Sequence, residues 1–416
     1  MSVEIRTVTS GQLPLFVRMF EVAALEGAGD AETAVLAEYL EPATNLGAWL
    51  GDRLVGTASH FDVELTVPGG ASVPASAVTM ISTLPTHTRR GISTKLMHHQ
   101  LRQQREAGRI VAVLEASEGR IYGRWGYGPA TRHLTVGMRV RELDFHVDLD
   151  DDGSFEFADD DSIVHFGNPL WDAERALRPG RLSRPPQWWA MTLADPPGWR
   201  EGGGPLLAVF HVAADGTPDG YALYRITPRT EGHIPQAETK VYEVVSPDDH
   251  VKALLWRWLL ALDLTGTVMV DGLADDDPLW WLPADLRQVR AISSREGLWL
   301  RLLDVQAALQ ARTWFQDGTL SLNVVDPVLD DQSGRYLVVA RGGRATCERT
   351  GPLDDGDRSP ADLTLGVDAL AALQLGGVDA RTLAGAGRVR ARSGDVLAMA
   401  ARMFRGDVAP HHAGGF

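Results

Sequence analysis

The stretch Ala77-Val78-Thr79-Met80-Ile81-Ser82-Thr83-Leu84-Pro85-Thr86-His87-Thr88-Arg89-Arg90-Gly91-Ile92-Ser93-Thr94-Lys95-Leu96-Met97 reads as a buried strand, a short basic turn with a glycine, and the start of a helix. Pro85 stops the strand, and Gly91 lets the backbone approach a ligand closely. The amides from Arg90 to Thr94 lie where a helix N-terminus leaves donors unpaired and favours an anion, and Arg89 and Arg90 add countercharge. This is the layout of a diphosphate cradle. An ordinary strand-turn-helix with a basic turn is the competing reading, because short glycine motifs recur by chance.

The residues beyond the turn favour the cradle. Ile92, Leu96, Met97 and Leu101 share one face of a helix that Gly108 ends, and Ile110-Val111-Ala112-Val113-Leu114 forms a second strand. After it comes Glu115-Ala116-Ser117-Glu118-Gly119-Arg120-Ile121-Tyr122-Gly123-Arg124-Trp125-Gly126-Tyr127-Gly128-Pro129-Ala130. Together these segments resemble the acetyl-CoA core of the GNAT acetyltransferases, and the second half is similar to their Eis (enhanced intracellular survival) branch. In that family the strand before the cradle carries a bulge, pairs with the pantetheine arm, and is followed by Arg/Gln-x-x-Gly-x-Gly/Ala. The matching positions here are Thr88-Arg89-Arg90-Gly91-Ile92-Ser93. The central glycine agrees; Thr88 brings no charge, and Ser93 is bulkier than glycine.

With 416 residues the chain exceeds one average domain of about 150 residues, and three domains are expected. Hydrophobic residues make up 44% and charged residues 23%, a normal globular mixture. No apolar run approaches the roughly 18 residues of a membrane span, so a cytoplasmic protein is expected, with no membrane partner. Cys347 is the only cysteine, which rules out an internal disulfide and a cysteine-based metal cluster; no metal is expected. The net charge of −15, from 55 acidic and 40 basic residues, disfavours nucleic acid and would steer a cationic small molecule toward the protein. Only Lys95, Lys240 and Lys252 are lysines, which with abundant Ala and Gly points to a GC-rich bacterial coding background.

Along the chain, Val3 to Val8 alternates as a strand, and Gln12 to Glu26 has helical spacing with Gly27 past its end. A hairpin is expected around Gly51-Asp52-Arg53, with further strand at Val63 to Val67 and Val73 to Val78. Of the acidic residues Glu21, Glu26, Asp30, Glu32, Glu38 and Glu41, one or two could line an amine pocket, the rest forming a solvated face. The runs Asp148 to Asp152 and Asp159 to Asp161 read as solvated loops, since they lack the ligand alternation of a calcium loop. Strands at Leu206 to Val212, Tyr221 to Ile226 and Thr239 to Val245, a helix opened by Ser246-Pro247, and a strand at Thr267 to Val270 again resemble a GNAT half, without a basic-glycine cradle. Trp188, Trp189, Trp256, Trp258, Trp280 and Trp281 read as core and inter-domain packing, there being no basic groove to make them a stacking surface for bases. From Gly297 a helix at Gln306 to Arg312, strands at Leu320 to Val325, Tyr336 to Ala340 and Arg344 to Glu348, and helices around Leu370 to Leu375 and Leu397 to Phe404 are similar to the sterol-carrier-like domain that ends Eis-type chains.

The expected fold is α+β: tandem GNAT-like domains of mixed, mostly antiparallel sheets, then a sterol-carrier-like domain, with divisions at 1–140, 141–295 and 296–416. The resemblance implies acetyl-CoA as co-substrate, an amine-bearing acceptor such as an aminoglycoside or polyamine, and a homohexamer. It assigns the cofactor to Ile81, Ser82, Thr83, Arg89, Arg90, Gly91, Ile92, Ser93, Thr94, Tyr122 and Gly123. It makes Tyr127 the general acid and the α-carboxylate of Phe416, returning to the first domain, the general base. A phenol with a pKa of about 10 stays neutral at working pH, while an α-carboxylate with a pKa of roughly 3.5 stays charged and attracts an ammonium. His87 reads as a neighbour of the phosphates. Acylation of a protein lysine or natural-product amine, and a non-catalytic lipid-binding or scaffold role, are the rival expectations.

Overall fold

The computed structural model describes residues 3–25, 29–353, 361–412 and 414–416; the expected helix end at Glu26 and Gly27 lies outside them. Three sheets organise the chain. The first runs, in spatial order, Glu4–Thr7, Thr44–Leu50, Arg53–Thr66, Ser72–Thr83, Val111–Glu115, Leu298–Leu302 and Gly128–Pro129. The second runs Arg290–Glu296, Arg132–Arg139, Thr265–Leu273, Ala237–Val245, Pro218–Thr227, Leu206–Val212 and Ser154–Ala158. The third contains Arg344–Gly351, Gly334–Arg341, Gly318–Val325, Leu363–Gly366 and Val389–Ala391.

The first two sheets are built alike. Each is antiparallel except for one parallel pair, Ser72–Thr83 with Val111–Glu115 and Ala237–Val245 with Thr265–Leu273. A helix crosses over within each pair, Ile92–Glu106 and Asp249–Leu260. These tandem halves, followed by the helix-covered third sheet, are the expected α+β architecture. At the second crossover the helix N-terminus is closed by its own side chain, because Asp248 accepts from the His250 amide. The first crossover helix has no side-chain cap.

Sheet membership departs from chain order at two strands. Arg132–Arg139 comes after the cradle half in sequence but pairs in the second sheet, with Thr265–Leu273 and Arg290–Glu296. Leu298–Leu302, which opens the third part of the chain, inserts into the first sheet beside Val111–Glu115. The halves are thereby stitched by backbone hydrogen bonds, and one apolar core is continuous from Phe16 in the first half to Leu370 and Phe404 in the third.

The acidic run at Asp159 differs from the expected loop. Asp159 Oδ1 accepts from the Ser162 amide and Ser162 Oγ is bonded in return, a reciprocal cap that starts the helix Asp160–Arg175. The carboxylates of the run also suit the positive end of the helix dipole.

Candidate active site

The strand Ser72–Thr83 carries three of the expected cofactor residues, Ile81, Ser82 and Thr83. Its pairing with Val111–Glu115 ends at Ala77 and Val113, so the two strands part beyond that point. Register against Arg53–Thr66 slips there as well, and Met80 sits at φ 53°. This is a bulge, and it re-aims the segment Ile81 to Thr83. Thr57 fixes it, donating from Oγ1 to the Met80 carbonyl at 2.7 Å and sharing a 2.6 Å contact with Ser82 Oγ. Thr83 and Ser93 join across the turn at 2.8 Å between hydroxyl oxygens.

The turn is a short 3-10 segment, Pro85–His87, followed by Arg89 at φ 62° and Gly91 at φ 76°. Gly91 is needed for that left-handed backbone at the helix entrance. The helix ladder begins with the Lys95 amide on the Gly91 carbonyl, so the amides just before Lys95 have no place in the ladder and project into the turn. Arg89 and Arg90 are exposed beside them, Ile92 is buried beneath, and Thr94 lies on the first helical turn. His87 is buried; desolvation and the Arg90 and Arg53 charges hold its imidazole below the usual range.

Tyr127 is fully buried with Val78, Met97, Leu114 and Trp125, and its ring meets Tyr122 edge-on at 6.1 Å. Its hydroxyl has no hydrogen-bond partner among the described residues. Burial pushes this phenol well above its ordinary value, so it is a neutral donor at physiological pH. Tyr122, also raised by burial, and Gly123 form the turn leading to it. A buried orphan donor, two parted strands and a capless basic helix start form a set that fits an acyl-CoA thioester, pantetheine and diphosphate.

The chain's last residues reach the opposite face of the parted strands. Thr79 Oγ1 donates to the backbone oxygen of Phe416 at 2.9 Å, and Trp188 Nε1 to that of Gly415 at 3.1 Å. The Phe416 ring packs edge-on against Trp188 and His412, each at 5.8 Å. His411 anchors the segment from its amide to the Pro179 carbonyl and from Nε2 to the Gly272 carbonyl. Tyr127, packed with Val78, and Phe416, bonded to Thr79, thus lie against neighbouring residues of one strand.

Beside this tail lies a cavity of about 370 Å³ between the first two halves, lined among others by Glu115, Trp188, Asp195, Glu243, Asp271 and Gly415. Among the described residues none of the acidic side chains of the early helices lines it, Glu26 lying outside them. Glu21 instead accepts from Thr33, Glu32 from the Gly198 amide, and Asp30 pairs with Arg18. Glu115, at the end of its strand, carried no signal in the sequence, since its place in the cavity wall depends on a tail from the far end of the chain. Trp188 is more than packing, for it binds the tail and lines the cavity; Trp189 and Trp256 are core, and Trp281 is 73% exposed.

Among the described residues no group of three or more His, Cys, Asp or Glu could hold a metal ion, and no helix is long and apolar enough to cross a membrane. Residues 4–130 and 180–304 match two families, each described as Acetyltransferase (GNAT) domain, and 305–413 match one described as Sterol carrier protein domain. A protein of Streptomyces avermitilis named Uncharacterized N-acetyltransferase is 36% identical over 89% of each chain. N-acetyltransferase Eis of Mycobacterium tuberculosis is 34% identical over 87% of this chain and 86% of that one. The crystal structure of Eis1 from Mycobacterium abscessus superimposes with a TM-score of 0.84 at 31% identity, covering 99% of this chain and 100% of that one. With that agreement of sequence, domain order and fold, the chain belongs to the Eis-type GNAT N-acetyltransferases.

Proposed function

We propose that this protein transfers the acetyl group of acetyl-CoA to an amine of a cationic small molecule, aminoglycoside-like or polyamine-like. The observation that carries the reading is the seating of Phe416 on Thr79 beside the bulge, next to a cavity walled by carboxylates. Bound acetyl-CoA supplies an electrophilic thioester. The amides before Lys95, with Arg89 and Arg90, would hold the diphosphate, and Ile81 to Thr83 the pantetheine, with Tyr122 and Gly123 beside its lower arm.

The Phe416 α-carboxylate attracts the acceptor ammonium, whose solution pKa is about 10 by analogy with lysine, and takes its proton directly or through water. Tyr127 Oη protonates the departing sulfur. Protein-wide negative charge, −15, favours arrival of a cation. Assembly as a hexamer is part of the proposal; Leu15 and Val22 on the helix Leu13–Ala24 and Leu25 just past its end expose 52%, 59% and 87% of their surface, apolar area that association would cover.

The test is CoA thiol release from the untagged chain with acetyl-CoA and a panel of aminoglycosides, polyamines and lysine peptides. Release with the first two classes is expected. Release with peptides alone would replace the acceptor class, and failure to bind acetyl-CoA would remove the cradle assignment. Extending the chain beyond Phe416 should abolish turnover while leaving acetyl-CoA affinity intact; undiminished turnover would strip Phe416 of its role. Light scattering giving a monomer's mass at micromolar concentration would overturn the hexamer.

A further inference from the structure

Four carboxylates line the cavity beside the tail, and three already have cationic or hydrogen-bonding partners. Asp195 meets Arg225 at 2.5 Å, Glu243 meets Arg184 at 2.5 Å and Tyr221 Oη at 3.1 Å, and Asp271 meets His133 at 2.7 Å and Thr135 at 3.0 Å. Glu115 stands apart. Among the described residues its one ion-pair contact within 4 Å is with His412 Nε2 at 3.9 Å, an imidazole that burial keeps neutral. Burial raises the Glu115 carboxyl and the charge of Arg295 on the exposed rim opposes that rise, but Arg295 spends its guanidinium hydrogen bond on the Glu296 carbonyl and makes no direct contact with Glu115.

Strand alternation puts Glu115 on the face of Val111 and Val113, opposite Leu114 and Tyr127 and on the same side as the returning tail. A Cβ placed on Gly415 would lie 3.9 Å from Glu115 Oε2, so this carboxylate borders the backbone next to Phe416. Trp188, Met191 and Trp199 give the same cavity an apolar wall. A half-buried anion of this kind, one wall apolar and the other charges matched, selects a flexible chain bearing a cation at its end.

We propose that Glu115 is a specificity-determining residue that holds a second cationic group of the acceptor, so that dications are preferred over monoamines. The inference rests on the acceptor reading above. The experiment compares 1,4-diaminobutane with n-butylamine, both fully protonated near neutral pH, by kcat/KM and by equilibrium binding. A charged hydrogen bond of this kind corresponds to a preference of about tenfold in the unaltered protein. Glu115→Gln should reduce the preference at least about fivefold, and Glu115→Asp, which keeps the charge, should preserve more of it than Gln does. No preference in the unaltered protein, or a ratio in Glu115→Gln within about twofold of it, overturns the assignment. If neither amine is acetylated although acetyl-CoA binds, the acetyl-acceptor reading fails for these amines, and the binding ratio alone decides Glu115.

Discussion

At the scale of single residues, Tyr127 separates catalysis from stability. A buried hydroxyl without a partner costs desolvation energy, so its removal should be neutral or slightly stabilising. Tyr127→Phe is therefore expected to leave the melting temperature unchanged or raised while lowering kcat about 100-fold, the contribution of a positioned general acid. Acetyl-CoA affinity should hold. Thermal unfolding and steady-state kinetics on one preparation check all three, and a large fall in melting temperature would reduce Tyr127 to a structural residue. The role proposed for Tyr127 could be read from sequence because it travels with a local string, Trp125-Gly126-Tyr127-Gly128. The place of Glu115 beside the tail could not, because a glutamate at a strand end looks the same whether solvent or a folded-back tail lies beyond it.

At the scale of elements, a buried hydroxyl, Thr57 Oγ1, bonds the bulge at its Met80 carbonyl. Thr57→Val keeps the shape of the side chain and removes the donor to the Met80 carbonyl. The expected cost is about 1–3 kcal/mol for the buried carbonyl left unpaired, with a raised KM for acetyl-CoA as Ile81 to Thr83 lose their aim. A KM unchanged despite the lost stability would detach the bulge from cofactor binding. Strand, turn and helix around Gly91 could be read from sequence since each depends on neighbours in the chain. Which sheet receives Arg132–Arg139 or Leu298–Leu302 could not, because an apolar strand fits either sheet and the choice is made by partners more than 100 residues away. The Asp159 cap was missed for a related reason: three aspartates suit a loop or a helix start, and the deciding bond is the return from Ser162.

At the scale of the molecule, the third sheet's helices and the tail hold the site from outside. A Cβ on Gly128 would fall 1.9 Å from the Asp368 carbonyl, so the helix Val367–Gln374 packs directly on the Tyr127 loop. Gly128→Ala must push that helix away and should destabilise the protein by about 1–3 kcal/mol and lower kcat together; kcat kept intact would show that the third part does not position Tyr127. The tail offers a pH handle. His412 is fully buried among Arg181, Arg184 and Glu115, and burial, reinforced by the two arginines, brings its pKa down to about 3; His411 is likewise depressed. An imidazole with an ordinary pKa near 6.5 and a lower one when docked binds protons mainly in the undocked state. Docking is thus at full strength above about pH 6.5 and weakens as pH falls toward 3. Backbone amides around His411 and His412 should lose hydrogen-exchange protection between pH 7.5 and pH 5, after correction for intrinsic rates, before the sheet cores do. Substituting His412 with Gln should weaken that pH dependence, leaving the part that His411 contributes, and protection falling in step with the cores would mean that the tail does not open on its own.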